Sequence, residues 1–213
     1  MTEAGSGIRI GLCGGTFDPF HRGHVEPVRA IFESMEWTTV VYVPAWAQPF
    51  KTGQTTSSPY HRHAMTVLGT IEDPRLEVSL VELEKESVSY TVETLRHFRS
   101  LHPQSTLDWI IGDDNLEKLL EWKSLDEIFE LANFAVLTRL GPPARLDPAL
   151  RRRVCPVQDR TTAGAIVFAE NEALAVSSTR IRELVRTTGS AGDLLQPVVA
   201  EYINRSGLYR MTP

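Results

Sequence analysis

Along most of the 213-residue chain, short apolar runs alternate with segments whose apolar residues recur at helical spacing, and this alternation limits the folds open to it. Ile8–Cys13, Thr39–Val43, Leu76–Val81, Leu107–Ile111 and Phe134–Leu137 read as strands, and Ile166–Ala169 as one more. Val25, Val28, Ile31, Phe32 and Met35 share one helical face; Met65, Leu68 and Ile71 share a second. Leu116, Leu119 and Leu120, then Leu125, Ile128 and Phe129, repeat the pattern. The order predicts a doubly wound α/β fold with a mostly parallel sheet and helices on both faces. Ser178–Val185 and Val198–Asn204 read as helices, Gly207-Leu208-Tyr209 closes the fold, and Gly141–Asp159 reads as an irregular excursion. Residues 1–213 are expected to form one domain with a small helical C-terminal part from about residue 177.

In such sheets ligands bind beyond the carboxyl ends of the strands. The first strand runs there into Gly14–His24, GGTFDPFHRGH. Gly14 and Gly15 permit unusual backbone angles and the close approach of a phosphate, though neither a P-loop nor a G-x-G-x-x-G spacing is present. His21 and His24, three apart where a helix should begin, project from nearly the same side. Free N–H groups and a partial positive charge at that helix end suit an anion. Beside a polyphosphate both imidazoles are expected to have raised pKa values and to act as charged donors. Zinc is disfavoured, because helical zinc pairs carry four-residue spacing with a glutamate. On this stretch alone, a tight turn whose histidines only cap or pack stays open.

A second stretch, Val176–Arg182 (VSSTRIR), places three hydroxyls before a helical pattern and two arginines after them. Its plain reading is a helix cap. Its sharper reading is a second phosphate site, with Ser178, Thr179 and helix N–H groups as donors and Arg182 clamping phosphate oxygens.

Composition narrows the partners. The net charge of −5 and the absence of a basic stripe argue against nucleic acid, and Arg151-Arg152-Arg153 reads as solvated surface. No apolar run is long enough to span a bilayer. Met1–Gly7 does not read as a signal peptide, and the two cysteines, Cys13 and Cys155, fit a reducing cytoplasm, Cys13 as a small buried residue at a strand end. The oligomeric state is open, a homo-oligomer included.

Both motifs together resemble the nucleotidyltransferases with an H-x-G-H motif, and among them the bacterial nicotinate-mononucleotide adenylyltransferases. GGTFDPFHRGH is similar to their G-G-[ST]-F-D-P-x-H-x-G-H, and VSSTRIR to their I-S-S-T-x-I-R. SYTVETL (Ser89–Leu95), IIGDDNLEKLLEW (Ile110–Trp122) and LLQPVVAEYINRSGLY extend the likeness over most of the chain, weakest from Arg139 to Glu170. Where the family commonly has P-P-H-K, this chain has Gln48-Pro49-Phe50-Lys51.

The resemblance implies a Rossmann-like fold and adenylyl transfer from ATP to nicotinate mononucleotide, in the cytoplasm, in the biosynthesis of NAD. It assigns Gly14, Gly15, Thr16 and Phe17 to ATP, with His21 and His24 at the reacting phosphates as the catalytic pair. Gly112, Asp114, Ser178, Thr179 and Arg182 complete the ATP set, and Mg²⁺ is expected to bind mainly through the ATP phosphates. For the mononucleotide it points to Lys51, Ser89, Tyr90, Thr91 and Trp122, the indole either stacking on the pyridine or packing as core. Helix N–H groups at Ser89–Thr91 would favour nicotinate over its amide. The alternatives are another acceptor, nicotinamide mononucleotide or phosphopantetheine, and a nucleotide sensor without catalysis.

Overall fold

A computed structural model describes residues 7–47, 57–138, 143, 145–171 and 176–210. Its strands are β1 (Arg9–Gly15), β2 (Thr39–Pro44), β3 (Leu76–Val78), β4 (Thr106–Gly112), β5 (Asn133–Thr138) and β6 (Ile166–Glu170). Its helices are α1 (Arg22–Ile31), α2 (Pro59–Thr70), α3 (Thr91–Leu101), α4 (Leu125–Leu131), α5 (Pro148–Arg151), α6 (Ser178–Thr188) and α7 (Pro197–Arg205). The six strands form one sheet in the order β3-β2-β1-β4-β5-β6, which reverses direction between β1 and β4 as in a doubly wound fold. β1 pairs parallel with β4, β4 with β5 and β5 with β6. The expected α/β class is therefore what the chain adopts.

Two compact units can be distinguished. The first comprises Met1–Cys13, Ile31–Val41 and Tyr90–Asn171; the second comprises Gly14–Ala30, Tyr42–Ser89 and Glu172–Pro213.

In the first unit β4 is buried from Thr106 to Ile111, which explains its nearly continuous apolar sequence. Asp108 interrupts that run and is fully buried. Its carboxylate accepts from Trp37 Nε1 (2.8 Å) and Asn133 Nδ2 (3.0 Å), and Arg160 Nε stands 3.5 Å away. Arg160 also donates to the Met35 carbonyl. A buried carboxylate needs such partners, since an unpaired charge there would cost several kcal/mol, on the order expected for a broken buried pair. The expected excursion thus carries a structural anchor: its described part holds α5, a 3-10 turn at Val157–Asp159 and the buried Arg160 just beyond. Of the basic run, Arg151 and Arg152 are exposed, while Arg153 lies over the Phe129 ring at 4.0 Å.

In the second unit α2 packs on α7, and Met65 on the former with Val199 and Ile203 on the latter are buried. Two expected elements are shorter than their apolar patterns. β3 ends at Val78, because Ser79 Oγ accepts from Val81 N (3.2 Å) and turns the chain, leaving Leu80 exposed. α1 ends at Ile31, where Ser34 Oγ bonds the Ile31 carbonyl (2.9 Å), although Phe32 and Met35 beyond it stay buried. A third, in the first unit, differs in type: the Leu116–Leu120 stretch belongs to a 3-10 helix, Asp113–Glu121. Residues three apart eclipse in that helix, so Leu116 and Leu119 share the buried side and Leu120 is exposed.

Candidate active site

The candidate residues fall in both units. In the second, β1 ends at Gly15, whose carbonyl accepts from Ala45 N (2.9 Å), and the chain turns through Thr16–Phe20 into α1. Phe17 takes a left-handed backbone (φ 52°), and its ring is buried edge-on against His24, Phe20 and Tyr42 at 5.0, 5.4 and 5.9 Å. Phe20, fully buried, stacks beneath the His24 ring at 5.3 Å. This aromatic bed explains why an apolar residue stands at both positions of F-D-P-F. The Phe17 ring, buried, supports His24.

α1 starts at Arg22, which puts His21 just before it and His24 in its first turn. The two imidazoles stack at 3.7 Å with 22° between planes, so the three-residue spacing does bring them to one side. His21 N donates to His24 Nδ1 (3.2 Å), which leaves the ring proton of neutral His24 on Nε2; Tyr42 Oη holds the His24 carbonyl at 3.0 Å. The expectation of charged histidines concerns a site that holds a polyphosphate; without a ligand His21 differs. Burial pushes its imidazole down to about 4, so it is neutral at pH 7, and its buried Nδ1 has no partner among the described residues.

The H-x-G-H glycine has a packing reason. A Cβ on Gly23 would lie 2.4 Å from Val176 Cγ1, so only glycine lets the VSSTRIR segment close on α1. Ser177, which is not among the expected site residues, is the N-cap of α6, its Oγ accepting from Arg180 N (3.2 Å). Ser178 Oγ donates to the Pro19 carbonyl (3.1 Å), and Arg182 Nη1 donates to the Asp18 carbonyl (2.7 Å), with Nη2 3.3 Å from Thr179 Oγ1. Two of the three expected phosphate-binding side chains, Ser178 and Arg182, are thus tied to the turn that carries the histidines. Thr179 is exposed and Arg182 half-buried.

Sequence reasoning missed the support beneath this turn. Arg62, on α2 and fully buried, donates to the carbonyls of Thr16 (2.7 Å), Ala45 (2.7 Å) and Trp46 (2.9 Å). Burial lowers its pKa, while Asp18 and Tyr209 nearby raise it. Asp18, 3% exposed, accepts from Ser57 Oγ and from Tyr209 Oη (2.6 Å). The available signal was position: Arg62 shares a helical face with the apolar Met65 and with Gly69, where a cation is out of place.

Ser89 closes the described Tyr42–Ser89 stretch. It is buried, its N–H bonds the Ala47 carbonyl (2.9 Å), and its hydroxyl has no partner among the described residues. Lys51, and Phe50 beside it, lie outside the described residues.

In the first unit α3 opens at Thr91, with Tyr90 as an N-cap that makes no side-chain cap bond. Lys123 Nζ lies 4.0 Å over the Tyr90 ring and 3.4 Å from Glu93, offsetting the acid in the first turn. At the end of β4 a Cβ on Gly112 would stand 2.6 Å from Asp114 Oδ1. Asp114 is exposed and accepts from Asn115 Nδ2 (3.1 Å). Trp122 is half-buried, its indole edge-on to Phe134 at 5.9 Å, so it packs on the core while keeping part of its ring open. Burial raises the Cys13 thiol to about 12, which suits a packing role and not a nucleophile. Among the described residues, no three His, Cys, Asp or Glu side chains are grouped to hold a metal ion, and no helix is long and apolar enough to cross a membrane.

A cytidylyltransferase-like family model matches residues 12–184. A Thermoanaerobacter protein named "probable nicotinate-nucleotide adenylyltransferase" is 35% identical over 206 residues, covering 95% of each chain. One of the same name from Saccharopolyspora erythraea is 36% identical over 203 residues, covering 95% of this chain and 90% of its own. Among solved structures, the Plasmodium falciparum nicotinic acid mononucleotide adenylyltransferase complexed with NaAD superposes with a TM-score of 0.72 at 19% identity, covering 95% of this chain and 97% of its own. That last likeness is one of fold.

Proposed function

Since the chain belongs to the cytidylyltransferase-like family, among the nicotinate-nucleotide adenylyltransferases, we propose that it transfers the adenylyl group of ATP to nicotinate mononucleotide. The mononucleotide phosphate oxygen attacks the α-phosphorus of ATP in line. The bond from that phosphorus to the bridging oxygen breaks, and pyrophosphate leaves with the electron pair, giving nicotinate adenine dinucleotide. No covalent enzyme intermediate is needed. Aligning two anions and neutralising the growing charge on the leaving group supply the rate, and alignment alone can lower a barrier by about 7–11 kcal/mol.

The observation that carries this reading is the joining of two distant motifs. His21 and His24 stack on one side of a turn whose Asp18 and Pro19 carbonyls hold Arg182 and Ser178, 164 and 159 residues away. This supports a polyphosphate cradle in which His24 Nε2, the α6 N-terminus and the remaining donors of Arg182 meet phosphate oxygens. Ser178 serves it chiefly by holding α6 to the turn. Gly14, Gly15, Thr16 and Phe17 would meet ATP through the main chain, and Gly112 and Asp114 complete that set. His21, neutral when free, would take up a proton with the anion.

ATP would enter as its Mg²⁺ complex, the ion supplying charge neutralisation at the phosphates and bound mainly through them. For the acceptor we assign Ser89, Tyr90 and Thr91 to the pyridine carboxylate, Trp122 to its ring and Lys51 to its phosphate. The unpartnered Ser89 hydroxyl and the uncapped start of α3 support the choice of the acid over the amide. The whole chain would act as one nucleotidyltransferase domain, in the cytoplasm, with its helical C-terminal part beginning near residue 177.

Pyrophosphate release from ATP should require nicotinate mononucleotide, and His24→Ala should lower kcat by at least about 100-fold with the melting temperature little changed. Activity within about tenfold of the parent, a loss of only ~1.4 kcal/mol, would contradict the role of His24.

A further inference from the structure

The C-terminal turn after α7 reaches back to the turn between β1 and α1. Tyr209 Oη lies 2.6 Å from Asp18 Oδ1 and 3.4 Å from Ser57 Oγ, and Ser57 Oγ donates to the same Asp18 oxygen. Asp18 and Ser57 are buried. Tyr209 itself holds a left-handed backbone (φ 63°), following Gly207 at the same angle, a conformation that L side chains keep only when other contacts impose it. The carbonyl of Asp18 receives Arg182, that of Pro19 receives Ser178, and that of Thr16 receives Arg62. The bonds onto this five-residue turn therefore come from α2, α6, Ser57 ahead of α2 and the stretch after α7, and the Tyr209 bond comes from the last described stretch of the chain.

We infer that Tyr209 is a positioning residue: by donating to Asp18 it fixes the Asp18–Pro19 carbonyls that orient Arg182 and Ser178, and with them the turn leading to His21 and His24. The inference rests on the nucleotidyltransferase reading for the meaning of that turn. Its physics is that of a supporting shell. A phosphate cradle loses rate when its donors shift by a fraction of an ångström, and a carboxylate with both donors in place cannot rotate away from the turn. Asp18 also stands as counter-charge to the buried Arg62, so the same carboxylate links the exits of β1 and β2.

Tyr209→Phe removes the hydroxyl and keeps the ring. The test compares Tyr209→Phe, Ser57→Ala and the parent in three readouts: kcat and KM for each substrate, affinity for a non-hydrolysable ATP analogue by calorimetry, and melting temperature. Tyr209→Phe is expected to lower kcat about tenfold and weaken analogue binding about fivefold, with the KM for nicotinate mononucleotide within about twofold. Ser57→Ala should act in the same direction, and the double variant should be no worse than additive, because both act through one carboxylate. Unchanged kcat and analogue affinity in Tyr209→Phe would overturn the inference, whatever the melting temperature does; so would equal losses for both substrates, which mark general destabilisation. A parent protein that binds the analogue but transfers nothing to a pyridine mononucleotide would overturn the function and not the latch, which the binding arm alone then decides.

Discussion

At the scale of the residue, the histidine pair shows how packing sets chemistry. His24 stacks over Phe20 and His21 stacks against His24, and the burial of His21 is what keeps it unprotonated. An unfolded imidazole titrates near 6.5, whereas folded His21 titrates near 4. Between those values the unfolded chain binds a proton that the folded one does not, so stability falls as pH is lowered through the window and is full above it. The contribution is on the order of 3 kcal/mol when fully developed. Urea unfolding from pH 7 to pH 4 should show this decline, and His21→Asn should make it shallower; an equally steep decline in the variant would place the titration elsewhere. The motif told from sequence that these histidines share a side. The protonation of His21 was not legible there, because it depends on burial, which spacing does not encode.

At the scale of the element, strands and helices were legible where periodicity and burial coincide and illegible where a hydrogen bond ended them early. β4, buried throughout its apolar run, matches its pattern, whereas β3 stops at a Ser79 turn and the Leu116–Leu120 stretch winds as a 3-10 helix. α2 supplies the case that a pattern hides: an arginine on its buried face. Arg62 satisfies three carbonyls where β1 and β2 leave the sheet, so it substitutes for backbone partners that those exits lack. Arg62→Met should therefore lower unfolding free energy by about 3–5 kcal/mol, since a Met of similar reach leaves those carbonyls without this donor and removes a counter-charge from Asp18. A loss below about 1 kcal/mol in urea denaturation would show that water replaces the guanidinium.

At the scale of the whole molecule, the doubly wound α/β class and the placement of G-G at the end of β1 and G-x-D at the end of β4 were readable from alternation and from the motif resemblance, while the order of the strands in the sheet was not. The C-terminal turn was readable only as an ending; that Tyr209 returns to Asp18, 191 residues earlier, is a property of the folded chain. Gln48 and Phe50 are where the chain departs from its family's usual P-P-H-K, so acceptor choice is best settled by products and not by position. The measurement is mass analysis of the dinucleotides formed from ATP and Mg²⁺ with nicotinate mononucleotide, nicotinamide mononucleotide or phosphopantetheine supplied separately. Nicotinate adenine dinucleotide should form fastest, with one pyrophosphate per dinucleotide. Absence of product with either pyridine mononucleotide, or faster transfer to phosphopantetheine, would contradict the central claim.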